Sequence, residues 1–261
     1  MAAIAYSAPR QLNVGRVVGQ TFRIFRQSWL WMVALGLPLA FAPRLIGYWI
    51  LNLPPLAAIV HRPTISSFLI TQAVMTVVDL IPSAILAGLI CGGVAAKLRG
   101  EAADRRSIGI RWLPSLLGGG VLAGIGTWLG LLLLAIPGIL LRLAWAVFAP
   151  VVVLEQKGTI SGLRRSAALT RGHRWKILGL VLIFQLSYLI LHYTSAWILR
   201  IWWYGASATV RPWLVWGMYG TAPASGMLYA LFWRVAETLL FFELVRLKSG
   251  APAESLAKVF D

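Results

Sequence analysis

"GLRRSAALTRGHRWK", residues 162–176, holds five arginines or lysines and one histidine but no acid. Apolar runs flank it at about residues 138–154 and 177–199. A basic patch between two apolar segments has three physical readings. It can bind nucleic acid, it can bind phosphate, or it can hold the topology of a chain that crosses a membrane. The choice among them decides the fold.

Composition favours the third. The 261 residues are 59% hydrophobic and 12% charged, with a mean hydropathy of +0.78. Soluble domains are about half apolar and about one quarter charged. A run of ~20 apolar residues suffices to cross a bilayer, and this chain has several. Its net charge of +16 would suggest nucleic acid in a soluble protein. In a membrane protein, Lys and Arg instead collect in cytoplasmic loops. The sequence has no recognition-helix pattern, zinc-ligand spacing or Gly-rich phosphate loop, so no nucleic-acid partner is expected.

The expected fold is all-α, a polytopic helical membrane protein with about six transmembrane helices plus basic amphipathic cytoplasmic helices. Residues 1–28 are expected to form a cytoplasmic amphipathic N-terminal segment. Residues 29–247 form the six-helix domain, with spans at about 29–52, 65–96, 113–136, 138–154, 177–199 and 223–247, and 248–261 a cytoplasmic tail. Pro38 and Pro43 interrupt the first span, Pro82 lies in the second, and "IPG" at 136–138 separates the third from the fourth. The start, "MAAIAYSAPRQLNVGR", lacks the apolar core of a signal peptide, so the first span is expected to be an uncleaved anchor. Over 13–28, Val14, Val18, Phe22 and Phe25 recur at helical spacing. Arg16, Gln20, Arg23 and Arg26 take the other face, and Asn13 can cap the start. Such a helix either lies in the membrane interface or is a solvated lead-in to the first span.

Eighteen of the 24 lysines and arginines fall in 1–28, 97–112, 155–176 and 246–261. These segments alternate correctly with six spans, which predicts cytoplasmic termini. The run at 162–176 is then a cytoplasmic loop. In it, Thr159 or Ser161 can cap a short helix and Gly172 can end it in a left-handed turn. Arg164, Arg165, Arg171, Arg174 and Lys176 are placed to contact anionic headgroups. Trp29, Trp112 and Trp175, each within three residues of an arginine where spans one, three and five begin, suit the membrane interface. Trp202, Trp203, Trp213 and Trp216 of an outer loop at 200–222 suit the opposite belt. Glu155, at the end of the fourth span, is expected to pair with Lys157, Arg164 or Arg165.

Small residues mark packing faces. Ala84, Gly88, Gly92 and Ala96 recur every four residues, as do Gly120 with Gly124 and Gly126 with Gly130. Such spacing lets helix backbones approach closely. The faces serve the bundle interior or, alternatively, a homodimer seam. Asp79, Arg142, His192, Arg234 and Glu237 fall inside four spans at similar depth and should face inwards, because a charge facing lipid is costly. They form either a structural polar clasp or a path for a proton or solute. Arg234 and Glu237, three apart on one helix, can pair locally.

Catalytic motifs are lacking. His61, His173 and His192 lie on separate segments without metal-ligand spacing. Cys91 is the sole cysteine and lies among small apolar residues. Neither catalytic residues nor a metal or other cofactor is expected.

Residues 136–180 resemble a bacterial inner-membrane family of uncharacterised function, similar to the membrane domain associated with glycerophosphodiester phosphodiesterases. The resemblance rests on Pro137–Gly138, Pro150, Glu155, "LRRS" at 163–166, "LTRG" at 169–172 and Trp175. "VGQTFRIFR" at 18–26 and "FFELVRLKSG" at 241–250 are similar to that family's termini. The resemblance implies a bacterial inner-membrane location. It implies no phosphodiesterase activity and carries over no catalytic residue. The expected function is that of a non-enzymatic accessory or lipid-interacting protein whose basic cytoplasmic rim meets anionic headgroups. A homo-oligomer or a membrane-protein partner is compatible with it. The alternative is a transporter or channel built on the intramembrane charges.

Overall fold

In a computed structural model, residues 12–60, 64–99, 110–133, 135–205 and 211–249 are described. Among them the chain is helical, without strands. In order come α1 (Val14–Gly36), a π-helical turn (Leu37–Phe41), α2 (Ala42–Leu51), α3 (Pro54–Val60) and α4 (Ile65–Arg99). A 3₁₀ turn (Ile110–Trp112) leads into α5 (Leu113–Leu133). Then follow α6 (Ala135–Ala144), α7 (Phe148–Leu154), α8 (Thr159–Thr170), α9 (Arg174–Gly205) and α10 (Arg211–Ser249). Four helical stretches among the described residues are long and apolar enough to cross a bilayer: Val14–Leu51, Ile65–Leu98, Ile136–Leu154 and Arg174–Tyr204. Leu113–Thr127 is a shorter apolar stretch.

The residues sort into two compact units. One comprises Met1–Gln27, Ala87–Val181 and Arg234–Asp261; the other comprises Ser28–Leu86 and Leu182–Trp233. Ser28 leaves helical geometry (φ −130°, ψ 18°), which kinks α1 where its basic part meets its apolar part.

The first turn of α1 is capped as its sequence suggests, the Arg16 amide donating to Asn13 Oδ1 at 3.1 Å. The face that the protein itself buries differs from the apolar stripe. Val17, Thr21, Ile24 and Ser28 are buried, whereas Phe22, from the expected apolar stripe, is 56% exposed. Thr21 can be buried because its hydroxyl donates to the Val17 carbonyl at 2.8 Å, which removes the cost of an unmade hydrogen bond.

The first unit packs through glycines. A Cβ on Gly119 would collide with the Phe148 ring, and one on Gly88 with the Trp112 indole. A Cβ on Gly130 would fall 2.7 Å from the Gly138 Cα, so α5 and α6 touch backbone to backbone at that level. The Gly126–Gly130 pair thus packs as read from the sequence, with Gly126 against Trp145. The Gly120–Gly124 pair does not pack within the chain, for Gly120 is exposed and nothing lies within 4 Å of a Cβ on Gly124.

Two expectations are corrected here. Trp112 is not an interfacial aromatic. It is 6% exposed, because Gly88 leaves a slot that its ring fills. The outer loop expected over 200–222 is largely helix, since α9 continues to Gly205 and α10 begins at Arg211. At 32 and 39 residues, both helices are longer than the ~20 residues that a bilayer crossing needs. The tail beyond Ser249, His61 and the side chains of Trp213 and Trp216 lie outside the described residues.

Filling the Gly88 slot should destabilise the first unit. Gly88→Leu is expected to lower stability by ~1–3 kcal/mol, as overpacking does, read as a lower melting temperature in detergent. Gly124→Leu, which meets open space, should melt like the wild type.

Candidate functional site

Three constellations stand out. The first is a break in an apolar helix. Between α6 and α7 the chain makes a turn at residues 145–147, inside the stretch expected to be the fourth span. A break exposes carbonyls on one side and amides on the other, and away from water each must find a partner. The partners come from distant parts of the sequence. The Ala144 carbonyl accepts from Ser166 Oγ (2.9 Å) and Thr170 Oγ1 (3.2 Å) of α8. Beyond the turn, the Phe148 amide donates to the Trp145 carbonyl at 3.1 Å. The Ala149 amide donates to Glu237 Oε1 at 3.3 Å, and Pro150 has no amide proton to place.

Glu237 is 4% exposed. Its other oxygen accepts from Arg234 at 2.8 Å, one turn back along α10, as the three-residue spacing predicts. Arg142 acts on the same carboxylate electrostatically. Arg142 itself is exposed rather than turned inwards. It sits in the last turn of α6, where the helix dipole favours a cation. Beneath the pair, Thr238 Oγ1 lies 3.2 Å from Cys91 Sγ, and the thiol is fully buried.

The second constellation is the basic segment. It holds the short helix expected there, α8, docked on its neighbours. Gly162, Ser166, Leu169 and Thr170 form the buried face of α8, with Gly162 close to Val152 and Phe148. Arg164 and Arg171 are exposed, without an ion-pair partner among the described residues. Glu155 pairs with Lys157 and Arg165, each at 3.1 Å, and Arg164 takes no part. Gly158, in extended conformation, precedes the first helical residue. Thr159 therefore starts α8 instead of capping it, and its hydroxyl donates to the Ser115 carbonyl of α5 at 3.2 Å. Ser161 donates to the Gly158 carbonyl. Gly172 follows α8 with φ +89°, a left-handed turn that suits glycine. Arg174 and Lys176 begin α9 beside Trp175, which is 84% exposed. Lys248 of α10 donates to the Ala168 carbonyl. Glu243 lies between Arg16 (3.6 Å) and Arg246 (3.9 Å).

The third constellation belongs to the second unit. Asp79 of α4 pairs with Arg44 of α2 at 3.2 Å. The sequence reading grouped Asp79 with Arg142 and Arg234, and overlooked Arg44. The signal was available, since Arg44 stands alone inside an apolar span next to Pro43. Arg44 also donates to the Ala40 carbonyl at 2.7 Å, in the π-helical turn. Its stem lies against Gly226 of α10, where a Cβ would come within 3.0 Å. The neighbouring Ser225 Oγ lies 3.1 Å from His192 Nδ1 of α9. His192 stacks on Tyr188, ring centroids 5.7 Å apart, and Tyr188 meets Tyr229 at 5.2 Å. Tyr48 stands within electrostatic reach of Arg44 and Tyr188. The five ionisable residues read as one layer thus have separate local partners: Glu237, Arg234 and Arg142 in one unit, Asp79 and His192 in the other.

Trp29 is half-exposed, in keeping with an outward-facing aromatic. Among the described residues no group of three or more His, Cys, Asp or Glu is arranged to hold a metal ion. The chain matches no family model, no curated protein and no solved structure.

Removing the Glu237 carboxylate leaves both the Ala149 amide and Arg234 without it. Glu237→Ala should therefore cost ~3–5 kcal/mol, the usual penalty for breaking a buried pair from one side. Glu237→Gln, which keeps an acceptor for the amide, should cost clearly less. Melting temperatures of the two variants in the same detergent check the order.

Proposed function

We propose that the chain is a non-enzymatic, six-span protein of the bacterial inner membrane, with both termini in the cytoplasm and a basic rim that contacts anionic lipid headgroups. In this reading α5 and α10 join the four long apolar stretches as the third and sixth spans. The basic part of α1 and the whole of α8 lie along the cytoplasmic interface.

The observation that carries the reading is the construction of α8. Its inner face is anchored through Ser166 and Thr170 to the Ala144 carbonyl. Its outer face presents Arg164, and Arg171 follows its last residue, both uncompensated by any acid among the described residues. The exposed Trp175 follows one turn later. Arginines held on a rigid platform lose little conformational entropy on meeting a phosphate. An aromatic ring with one polar edge suits the headgroup layer. The ion pairs of Glu155 keep Arg165 and Lys157 engaged with the protein, so Arg164 and Arg171 are the residues free to face lipid.

Each basic residue near an anionic surface contributes ~1 kcal/mol. The purified protein should therefore be stabilised by an added anionic diacyl phospholipid more than by a zwitterionic one. Replacing Arg164 and Arg171 together with glutamine should remove about 2 kcal/mol of that difference. Melting curves titrated with each lipid are the measurement. An unchanged difference in the double variant would discard the role of α8.

A further inference from the structure

The polar centre of the second unit does something that headgroup binding does not require. Four helices contribute to it. Arg44 and Tyr48 come from α2, Asp79 from α4, Tyr188, His192 and Tyr193 from α9, and Ser225 and Tyr229 from α10. Arg44 lies against Gly226 and Ser225 bonds His192, so the ion pair and the histidine belong to one continuous polar seam.

Two observations show that this seam is not a sealed clasp. The Arg44 and Asp79 side chains keep 22% and 24% of their surface exposed. Several of its atoms also have no protein partner among the described residues. These are Asp79 Oδ1, His192 Nε2 and the hydroxyls of Tyr48, Tyr188 and Tyr229. If these helices cross the bilayer, that exposure faces either hydrocarbon or water. An arginine or aspartate facing hydrocarbon costs ~2.5–3.5 kcal/mol even on lenient scales. Exposed hydroxyls and an ion pair in one place therefore require water.

The charge balance narrows what the water serves. Among the described residues, Arg44 is the only cation of the seam and Asp79 the only carboxylate, and each neutralises the other. An anion or a metal cation would find its counter-charge already engaged. A proton needs only groups that exchange it and hydroxyls that pass it on.

The geometry points to a hydrated proton path through the second unit, with His192 and Asp79 as the exchanging groups and Ser225 and the tyrosines as hydrogen-bonding relays. The proposal rests on the membrane-spanning reading above but not on headgroup contact. In the step itself, a proton from water adds to His192 Nε2 and makes the ring cationic. The Nδ1 proton passes to the buried Ser225 Oγ as the hydroxyl's own proton moves on along the seam to water. The ring returns neutral as its other tautomer. One proton enters, one leaves, and no other bond changes. Imidazole suits this because either ring nitrogen can carry the proton while the other accepts.

The full-length protein in liposomes loaded with the pH-sensitive dye pyranine tests this. Under a potassium diffusion potential, the internal pH should change faster than in protein-free liposomes. His192→Phe, which keeps a ring to stack on Tyr188, and Asp79→Asn should each return the rate to the protein-free value. The double glutamine variant at Arg164 and Arg171 should conduct like the wild type, which separates failure of this proposal from failure of the headgroup reading. A wild-type rate equal to that of protein-free liposomes, or one unmoved by both seam variants, overturns the proposal. Thiol labelling gives a second readout that does not depend on flux. Cys91 is buried, so a single introduced cysteine reports alone. Tyr229→Cys should react with a charged methanethiosulfonate, and Leu186→Cys, on the exposed apolar face of α9, should not. Equal inertness of the two would mean a dry seam and would also overturn the proposal.

Discussion

A helix can be broken inside a water-poor environment only if every freed backbone group finds a partner. The rest of the first unit follows from meeting that condition at residues 145–147. Glu237 takes the Ala149 amide, Ser166 and Thr170 take the Ala144 carbonyl, and Pro150 removes one amide from the account. The break therefore ties together α6, α7, α8 and α10. It fixes α8 as a platform instead of a tether, and it accounts for a carboxylate buried in the middle of α10. Arg234 is needed in turn, because a buried carboxylate holding a single amide would be poorly compensated.

Glycine supplies the other half of the packing. Lipid tails are as apolar as leucine, so burial of apolar surface gives little drive for one membrane helix to join another. Close contact has to do more of the work. Gly88, Gly119 and Gly130 each stand where a methyl group would collide with a ring or a backbone. Large aromatic side chains, Trp112 and Phe148, occupy two of the spaces so created. The same device in the second unit brings Arg44 against α10 at Gly226, which sets the ion pair beside the histidine.

The two polar constellations differ in how completely their hydrogen bonds are made. Glu237 is enclosed, and both its oxygens are engaged. Asp79 and His192 each retain an atom without a partner among the described residues. The first arrangement suits a structural joint. The second leaves hydrogen-bonding capacity that water can fill.

The sequence by itself determined the helical class, the apolar segments and the local features whose physics spans a few residues. These include the Asn13 cap, the left-handed turn at Gly172, the Arg234–Glu237 pair and the engagement of Glu155 by its basic neighbours. Spacing along a helix decides such contacts. It does not decide which side of a helix meets its neighbours, so Trp112, expected at the interface, is instead buried against Gly88. Nor does it show that Asp79 faces Arg44, because pairing between helices depends on how they are rotated and where they approach. That is set by glycines such as Gly88 and Gly226, whose neighbours across the bundle no periodicity reveals. The break at 145–147 was hidden for the same reason. Its sequence is as apolar as the helix around it, and only the fold brings Glu237, Ser166 and Thr170 close enough to permit it.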